Sequence, residues 1–433
     1  MSVGLSNKEI GLELHKWATD LFPITRSLTG PGVRETFRYL KKIIPELSIF
    51  SVPSGKKVFD WTVPKEWIIR EAYIANKDNV KIIDIKNNNL HVVGYSEPIN
   101  KRMNLEELNP FLHSIPDLPN AIPYVTSFYN ESWGFCISEK QRMQLKDEEY
   151  HVYIDSELID GVLNYGELII KGQTDKEILL STYICHPSMA NNELSGPVVT
   201  TAIARWLKTL EKRKYTYRII FVPETIGSIV YINENFKNLK KATIAGFQIT
   251  CIGDDRVYSF LPSRLGNTLS DKAAEHVLKH LAPGYKKYSF LERGSDERQF
   301  CSPGVDLPIA SVMRSKYGEY PEYHTSLDNL DFVTPSGLAG GFNILKNIIE
   351  LIENNCKPVC LHTCEPQLGK RGLYPNVSKL GSVNDSVKKM MNLIAYSDGN
   401  LSLLEIAEII DVPMWELVQV FRVLKKHTIL SNN

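Results

Sequence analysis

The stretch from Glu177 to Leu210, EILLSTYICHPSMANNELSGPVVTTAIARWLKTL, limits what this chain can fold into more than any other. It opens with an apolar run, Ile178 to Cys185, of the kind that reads as a strand buried on both faces of a parallel sheet. His186 follows at its carboxyl end. A loop of small and polar residues leads to Ser195-Gly196-Pro197, after which Val199, Ile203, Trp206, Leu207 and Leu210 recur at helical spacing and form one apolar stripe. Strand, loop and helix make half of a βαβ unit. Ligands of open α/β sheets bind outside the carboxyl ends of the strands, so His186 and the polar loop lie where chemistry is expected.

Further strands of the same kind are predicted at Tyr217–Val222, Ala242–Cys251 and Leu307–Met313, alternating with helices over 268–281 and about 335–354. That alternation argues for a doubly wound, mainly parallel sheet. Before it come two helical patterns, 7–21 and 29–44, the second opened by Thr29-Gly-Pro-Gly-Val-Arg-Glu, and a strand at Leu47–Val52. From about Trp61 to Gly172 the texture changes to short β-like runs (82–85, 90–93, 150–154) punctuated by Asn, Pro and Gly, which predicts an all-β insertion packed on the rim of the α/β site. The α/β domain is therefore discontinuous, 1–60 and 173–364. Residues 365–433 comprise a turn-rich linker, EPQLGKRGLYPNVS, and a helical module with helices at about 384–395, 402–410 and 413–426. Ser402 and Glu405 make a capping box, and the short turn at Asp411-Val412 gives helix-turn-helix geometry.

Length fits two or three domains. Fifty basic residues balance fifty acidic ones, so no whole-chain field draws the protein to nucleic acid or to an anionic membrane. No apolar run approaches the ~18 residues needed to span a bilayer, and the amino terminus lacks a signal-peptide core. Seven cysteines, mostly on apolar strands, read as reduced thiols; the chain is read as cytoplasmic. The terminal module, from Val383 onward, carries five basic residues against six acidic ones. Because phosphate neutralisation dominates DNA affinity, a protein partner is the better expectation for it than nucleic acid.

Four polar residues fall at the ends of the predicted core strands: His186, Glu224, Asp296 and His324. Two histidines and carboxylates converging from separate strand ends suit a catalytic zinc, since three protein ligands leave one position for water. Glu224 is then the candidate general base. Cys356, Cys360, His362 and Cys364 lack the usual paired spacing and read as incidental thiols rather than a metal site, and Asp254-Asp255 as a solvated strand-end turn.

Strand-His186, the Asn-rich loop closing in Ser195-Gly196, strand-Glu224, Ser295-Asp296-x-x-x-Phe300 and Tyr323-His324-Thr325-x-x-Asp328 occur in the order seen in co-catalytic zinc aminopeptidases of the M28 type, which the chain resembles. The phrases DWTVPKEW, IPYVTSFY, CHPSMANNELSG, PETIGS and EPQLGKRGLYP are similar to a bacterial aminopeptidase-like family linked with polysaccharide biosynthesis, with a β-rich insert and a carboxyl-terminal winged helix. The resemblance covers essentially the whole chain. It implies His186 and His324 as metal ligands, Glu224 as general base, and Asp296 and Tyr323 beside a peptide or other amide-containing substrate.

The chain departs from the peptidase pattern at three places. Asn192 stands where a metal-bridging aspartate is expected, Thr225 where a glutamate ligand follows the base, and Ile249-Thr250-Cys251 where a third carboxylate belongs. The resemblance therefore implies one zinc rather than two. Its donors are drawn from His186, His324, Asn192 as a neutral oxygen, and a carboxylate of Glu224, Asp296 or Glu193. A zinc-dependent amide hydrolase is the first expectation; a weakened peptidase fold acting as a binding or assembly protein is the second. Homo-oligomer formation is left open.

Overall fold

The computed structural model describes residues 6–128, 130–373 and 385–432. Met1–Leu5 and the last part of the predicted linker, from 374 to 378, lie outside them. The described residues divide into two compact units, 1–270 with 285–343 and 271–284 with 344–433. Residues 271–284 and 344–364, placed with the α/β domain on sequence grounds, thus group with the carboxyl-terminal module.

The first unit opens with α1 (Asn7–Leu21), started by a capping box in which the Ser6 side chain accepts from the Glu9 amide and the Glu9 carboxylate accepts from Ser6. Next come α2 (Pro31–Ile43) and β1 (Ser48–Pro53). The insertion supplies β2 (Glu66–Ala75), β3 (Lys81–Asp84), β4 (Ile99–Asn104) and β5 (Glu149–Ile159), an antiparallel sheet in the order β3-β2-β5-β4. Strand β6 (Val162–Ile170) pairs antiparallel with β1 on one side and with Thr216–Val222 on the other. It therefore belongs to the main sheet, and the inserted sheet ends near Ile159 rather than at 172. The predicted strand at 90–93 is instead a single 3₁₀ turn, Asn89–His91.

The main sheet continues with β7 (Glu177–Tyr183), which runs into α3 (Ser195–Thr209); β8 (Thr216–Val222), followed by α4 (Ile226–Ala242); β9 (Thr243–Gln248); β10 (Ser259–Leu261); β11 (Lys286–Lys287); and β12 (Ile309–Met313). Its order is β1-β6-β8-β7-β9-β12-β10-β11. The four central strands β8, β7, β9 and β12 are parallel, so their carboxyl ends open on one rim. Every residue of β7 and β8 is buried, as an apolar strand covered on both faces requires. Full burial of a side chain such as Ile178 or Leu180 contributes roughly 1.5–3 kcal/mol. Gly196 at the head of α3 is required by contact: a Cβ there would lie 2.4 Å from the Ile249 carbonyl oxygen and 2.5 Å from Thr182 Oγ1.

In the second unit, α5 (Leu269–Leu281) contributes its residues from 271, and α6 (Pro335–Asn354) those from 344. With them are α7 (Asp385–Ala395), α8 (Leu403–Ile409) and α9 (Met414–Lys426). Strands β13 (Pro358–Cys360) and β14 (Leu430–Asn432) pair antiparallel as the wing. The predicted Ser402–Glu405 capping box is present. Among the described residues no helix is long and apolar enough to cross a membrane.

Candidate active site

Chain geometry delivers the predicted residues to the carboxyl rim. His186 lies just past β7, where the Ile184 amide still donates to the Val222 carbonyl at 3.0 Å. Glu224 lies two residues past β8, its amide 3.1 Å from Cys185 Sγ. The two side chains approach to 3.6 Å between His186 Nε2 and Glu224 Oε2. That separation is too long for a hydrogen bond. Ser295 donates to the other Glu224 oxygen at 2.8 Å, and burial pushes the Glu224 carboxyl above its ordinary range.

Asp296 is fully buried. Its Oδ1 accepts from the Thr225 amide at 2.7 Å and from Ser228 Oγ at 2.8 Å, while Oδ2 has no protein partner. Burial, together with the neighbouring Glu224 carboxylate, pushes its pKa up to about 8. His324 stacks on Tyr323 with ring centroids 3.9 Å apart and sits 5.6 Å, centroid to centroid, from His186. Its Nε2 is buried without a partner, and burial, then the nearby His186, lowers its pKa to about 3. It is therefore a neutral imidazole at physiological pH. Thr225, Cys251 and His324 hold positive φ values of 64°, 48° and 55°.

The inserted segment reaches this site. Tyr124, within the IPYVTSFY phrase but not singled out from sequence, packs edge-on against His186 and His324 at 5.2 and 5.1 Å. Its amide donates to the His324 carbonyl at 2.8 Å, and Ile122 and Ser326 exchange hydrogen bonds beside it. A second residue missed in sequence is Arg26, buried between the first two helices, whose Nε lies 3.3 Å from Glu193 Oε1.

The loop after His186 contains a π-helical turn, Ala190–Leu194, continuous with α3. Such turns recur at functional sites. Asp328 braces it by accepting from the Asn191 and Asn192 amides at 2.6 and 2.9 Å. Asp254, expected to be solvated, is buried instead and accepts from Asn191 Nδ2, the Ser315 amide and hydroxyl, and the Arg256 amide. An acidic group at a strand end becomes a core brace when enough donors surround it.

Buried lone pairs on His324 and Asp296 without partners, beside the His186–Glu224 pair, fit a cation. The three departures from the two-metal pattern are occupied by the protein itself. Asn192 Oδ1 accepts from Tyr183 at 3.0 Å, leaving its amide nitrogen without a partner. Arg298 donates to Thr225 Oγ1 at 2.7 Å, and the Thr250 hydroxyl bonds Tyr183 at 2.5 Å and the Asn192 carbonyl at 3.0 Å. None of these three side chains supplies a carboxylate to the rim.

Two groups among the described residues bring three potential ligand atoms within 4.8 Å of one another. One is Cys185, His186 and Glu193, so His324 does not complete a closed trio at that spacing. The other is His276, His280 and Glu408 in the second unit. There His276 Nε2 accepts the Met414 amide at 2.8 Å at the start of α9 and Nδ1 contacts Glu408 on α8, so both ring nitrogens are engaged. Cys356, Cys360, His362 and Cys364 form no such group among the described residues.

Fold and rim together define an α/β protein with zinc-aminopeptidase architecture. A zinc aminopeptidase from Bacillus subtilis superposes with a TM-score of 0.58 at 12% identity, covering 81% of this chain and 95% of that one. An M28 peptidase precursor from Shewanella amazonensis does so with a TM-score of 0.53 at 13% identity, covering 80% and 96%. Residues 15–355 match the family described as a domain of unknown function, DUF4910, and residues 356–432 a winged helix-turn-helix; the chain belongs to that first family and ends in that module. A Clostridium acetobutylicum protein named for polysaccharide biosynthesis and an aminopeptidase-like domain is 47% identical over 403 residues, 93% of this chain and 92% of its own length. A crystal structure from the same organism, whose name proposes a peptidase, is 44% identical with a TM-score of 0.93, covering 99% and 97%.

Proposed function

We propose that this chain is a zinc-dependent hydrolase of peptide or other amide bonds, of the aminopeptidase type, working with one cation. The observation that carries this reading is the 3.6 Å approach of His186 Nε2 to Glu224 Oε2, without a hydrogen bond, beside unpartnered buried atoms of His324 and Asp296. His186, His324 and a carboxylate of Asp296 or Glu224 would hold the ion. Zinc, when bound, supplies a Lewis acid that polarises a carbonyl and acidifies water. Glu224 supplies the proton acceptor: Ser295 occupies Oε1, Oε2 stays open to the site, and the raised pKa brings the carboxyl nearer to working pH. Tyr124 and Tyr323 wall the two histidines and exclude water from their far faces.

The setting in this reading is cytoplasmic polysaccharide biosynthesis, supported by the name carried by the Clostridium relative. The acidic winged-helix module then takes a protein partner. A second reading, a binding or assembly protein on a peptidase fold, is favoured by the internal bonding of Asn192, Thr225 and Thr250, which closes the place of a second metal. Release of p-nitroaniline from aminoacyl p-nitroanilides separates the two. The hydrolase reading expects activity in zinc-loaded protein, loss with chelator and loss in Glu224→Gln. Zinc-loaded protein inert across these and longer peptides would establish the binding reading.

A further inference from the structure

His186 has two ring nitrogens with different neighbours. Nε2 faces Glu224, and Nδ1 lies 3.0 Å from Glu193 Oε2. Glu193 is wholly buried in the π turn, and its other oxygen lies 3.3 Å from the Arg26 guanidinium, itself wholly buried. Arg26 Nε also donates to the His186 carbonyl at 2.9 Å, and Nη1 to the Leu21 carbonyl at 2.8 Å. The three side chains form a closed chain behind the imidazole, tied to its own backbone.

Cys185, His186 and Glu193 have ligand spacing, yet they do not suit a metal. Cys185 Sγ already accepts from the Glu224 amide at 3.1 Å, and Arg26 already balances the Glu193 charge. An ion at Nδ1 would add positive charge beside a buried guanidinium. A carboxylate accepting from the second nitrogen of an imidazole fixes its tautomer and the direction of its free lone pair.

We infer that Glu193, held by Arg26, is the positioning residue of His186: it accepts the Nδ1 proton and thereby directs Nε2 toward Glu224 and the cation. Glu193 is not itself a ligand. The inference deepens the proposed zinc site and rests on it for its consequence, though not for its geometry. The geometry is testable without metal. In chelator-treated protein labelled with 15N-histidine, His186 Nδ1–H should give a resonance protected from exchange, lost or shifted in Glu193→Gln and largely kept in Glu193→Asp. Zinc titration by calorimetry should show binding weakened about 10- to 100-fold in Glu193→Gln, the range found for such outer partners, and partly restored in Glu193→Asp.

Glu193→Gln leaves Arg26 buried and unpaired, so Arg26→Met/Glu193→Gln is measured alongside it and should show the same losses. A folded Glu193→Gln or double variant with the parental resonance and the parental zinc isotherm would overturn the inference. If the parent itself takes up no zinc, the proposed function falls, and the resonance alone decides whether Glu193 positions His186.

Discussion

Replacing Asp296 by asparagine should make the metal-free protein more stable while removing its response to zinc. The carboxylate is fully buried; Oδ1 receives two hydrogen bonds and Oδ2 none. Its folded pKa of about 8 lies above the ordinary 3.8, so the unfolded chain gives up this proton far more readily. The destabilisation is absent well below pH 3.8, grows as pH rises, and levels off above about 8. At pH 7 the gap spans roughly three units, which at about 1.36 kcal/mol per unit bounds the cost near 4 kcal/mol. Relaxation of the surroundings brings the expected gain to about 2–4 kcal/mol.

The amide keeps the oxygen that Thr225 and Ser228 bond and carries no charge to desolvate. Urea unfolding of chelated parent and Asp296→Asn at pH 5, 7 and 8.5 measures the difference. It should widen between pH 5 and 7 and change little beyond 8.5. Zinc should then raise the midpoint of the parent and not of the variant. A difference independent of pH, or a variant less stable than the parent at pH 7, would refute the argument that Asp296 is held charged-unfavourably for a cation.

Three other perturbations follow from the same geometry. Gly196→Ala places a Cβ within 2.4 Å of the Ile249 carbonyl, so the thermal midpoint should fall by an amount equivalent to about 1–3 kcal/mol or more, with zinc uptake lost alongside as the π turn is displaced. Arg298→Ala removes a positive charge that lowers the Glu224 pKa, so the acid limb of the pH–rate profile should move to higher pH; an unmoved limb would remove Glu224 from the role of base. In the second unit, burial holds His276 below the ordinary histidine range, and Nε2 must stay unprotonated to accept the Met414 amide. The folded pKa lies below the unfolded one, so stability is present above about 6.5 and declines as pH falls through that value. His276→Ala should cost about 1–3 kcal/mol in unfolding of that unit at pH 7.5 and flatten the decline, read by hydrogen exchange in α9.

The polar residues at the strand ends were legible because a buried parallel strand announces itself by an apolar run and its end by the first polar residue. His186 and Glu224 follow that rule, and the structure brings them within 3.6 Å. His324 and Asp296 also fall on the same rim. What stayed hidden depended on contacts between distant segments. Arg26 lies between two helices in an unremarkable ITRSLTG phrase, and nothing local marks it as the partner of a carboxylate 167 positions later in the chain. Strand β6 read as part of the insertion because its VLNYGELII pattern mixes polar and apolar residues, as suits a strand near a sheet edge. The π turn was legible only as a polar loop, since its hydrogen bonds come from Asp328 and its geometry from continuity with α3. Asp254 went the other way: two adjacent acids suggested solvent, and the donors that bury the first of them come from Asn191 and Ser315.

Anomalous diffraction at the zinc edge from a crystal of the zinc-loaded protein tests the central claim most directly. The account predicts a single peak at bonding distance from His186 Nε2, on the side of Glu224, with Glu193 still bonded to Nδ1 and with no second peak near Asn192 or Thr225. A peak on the Nδ1 side among Cys185 and Glu193, or no peak on this rim at all, would contradict it.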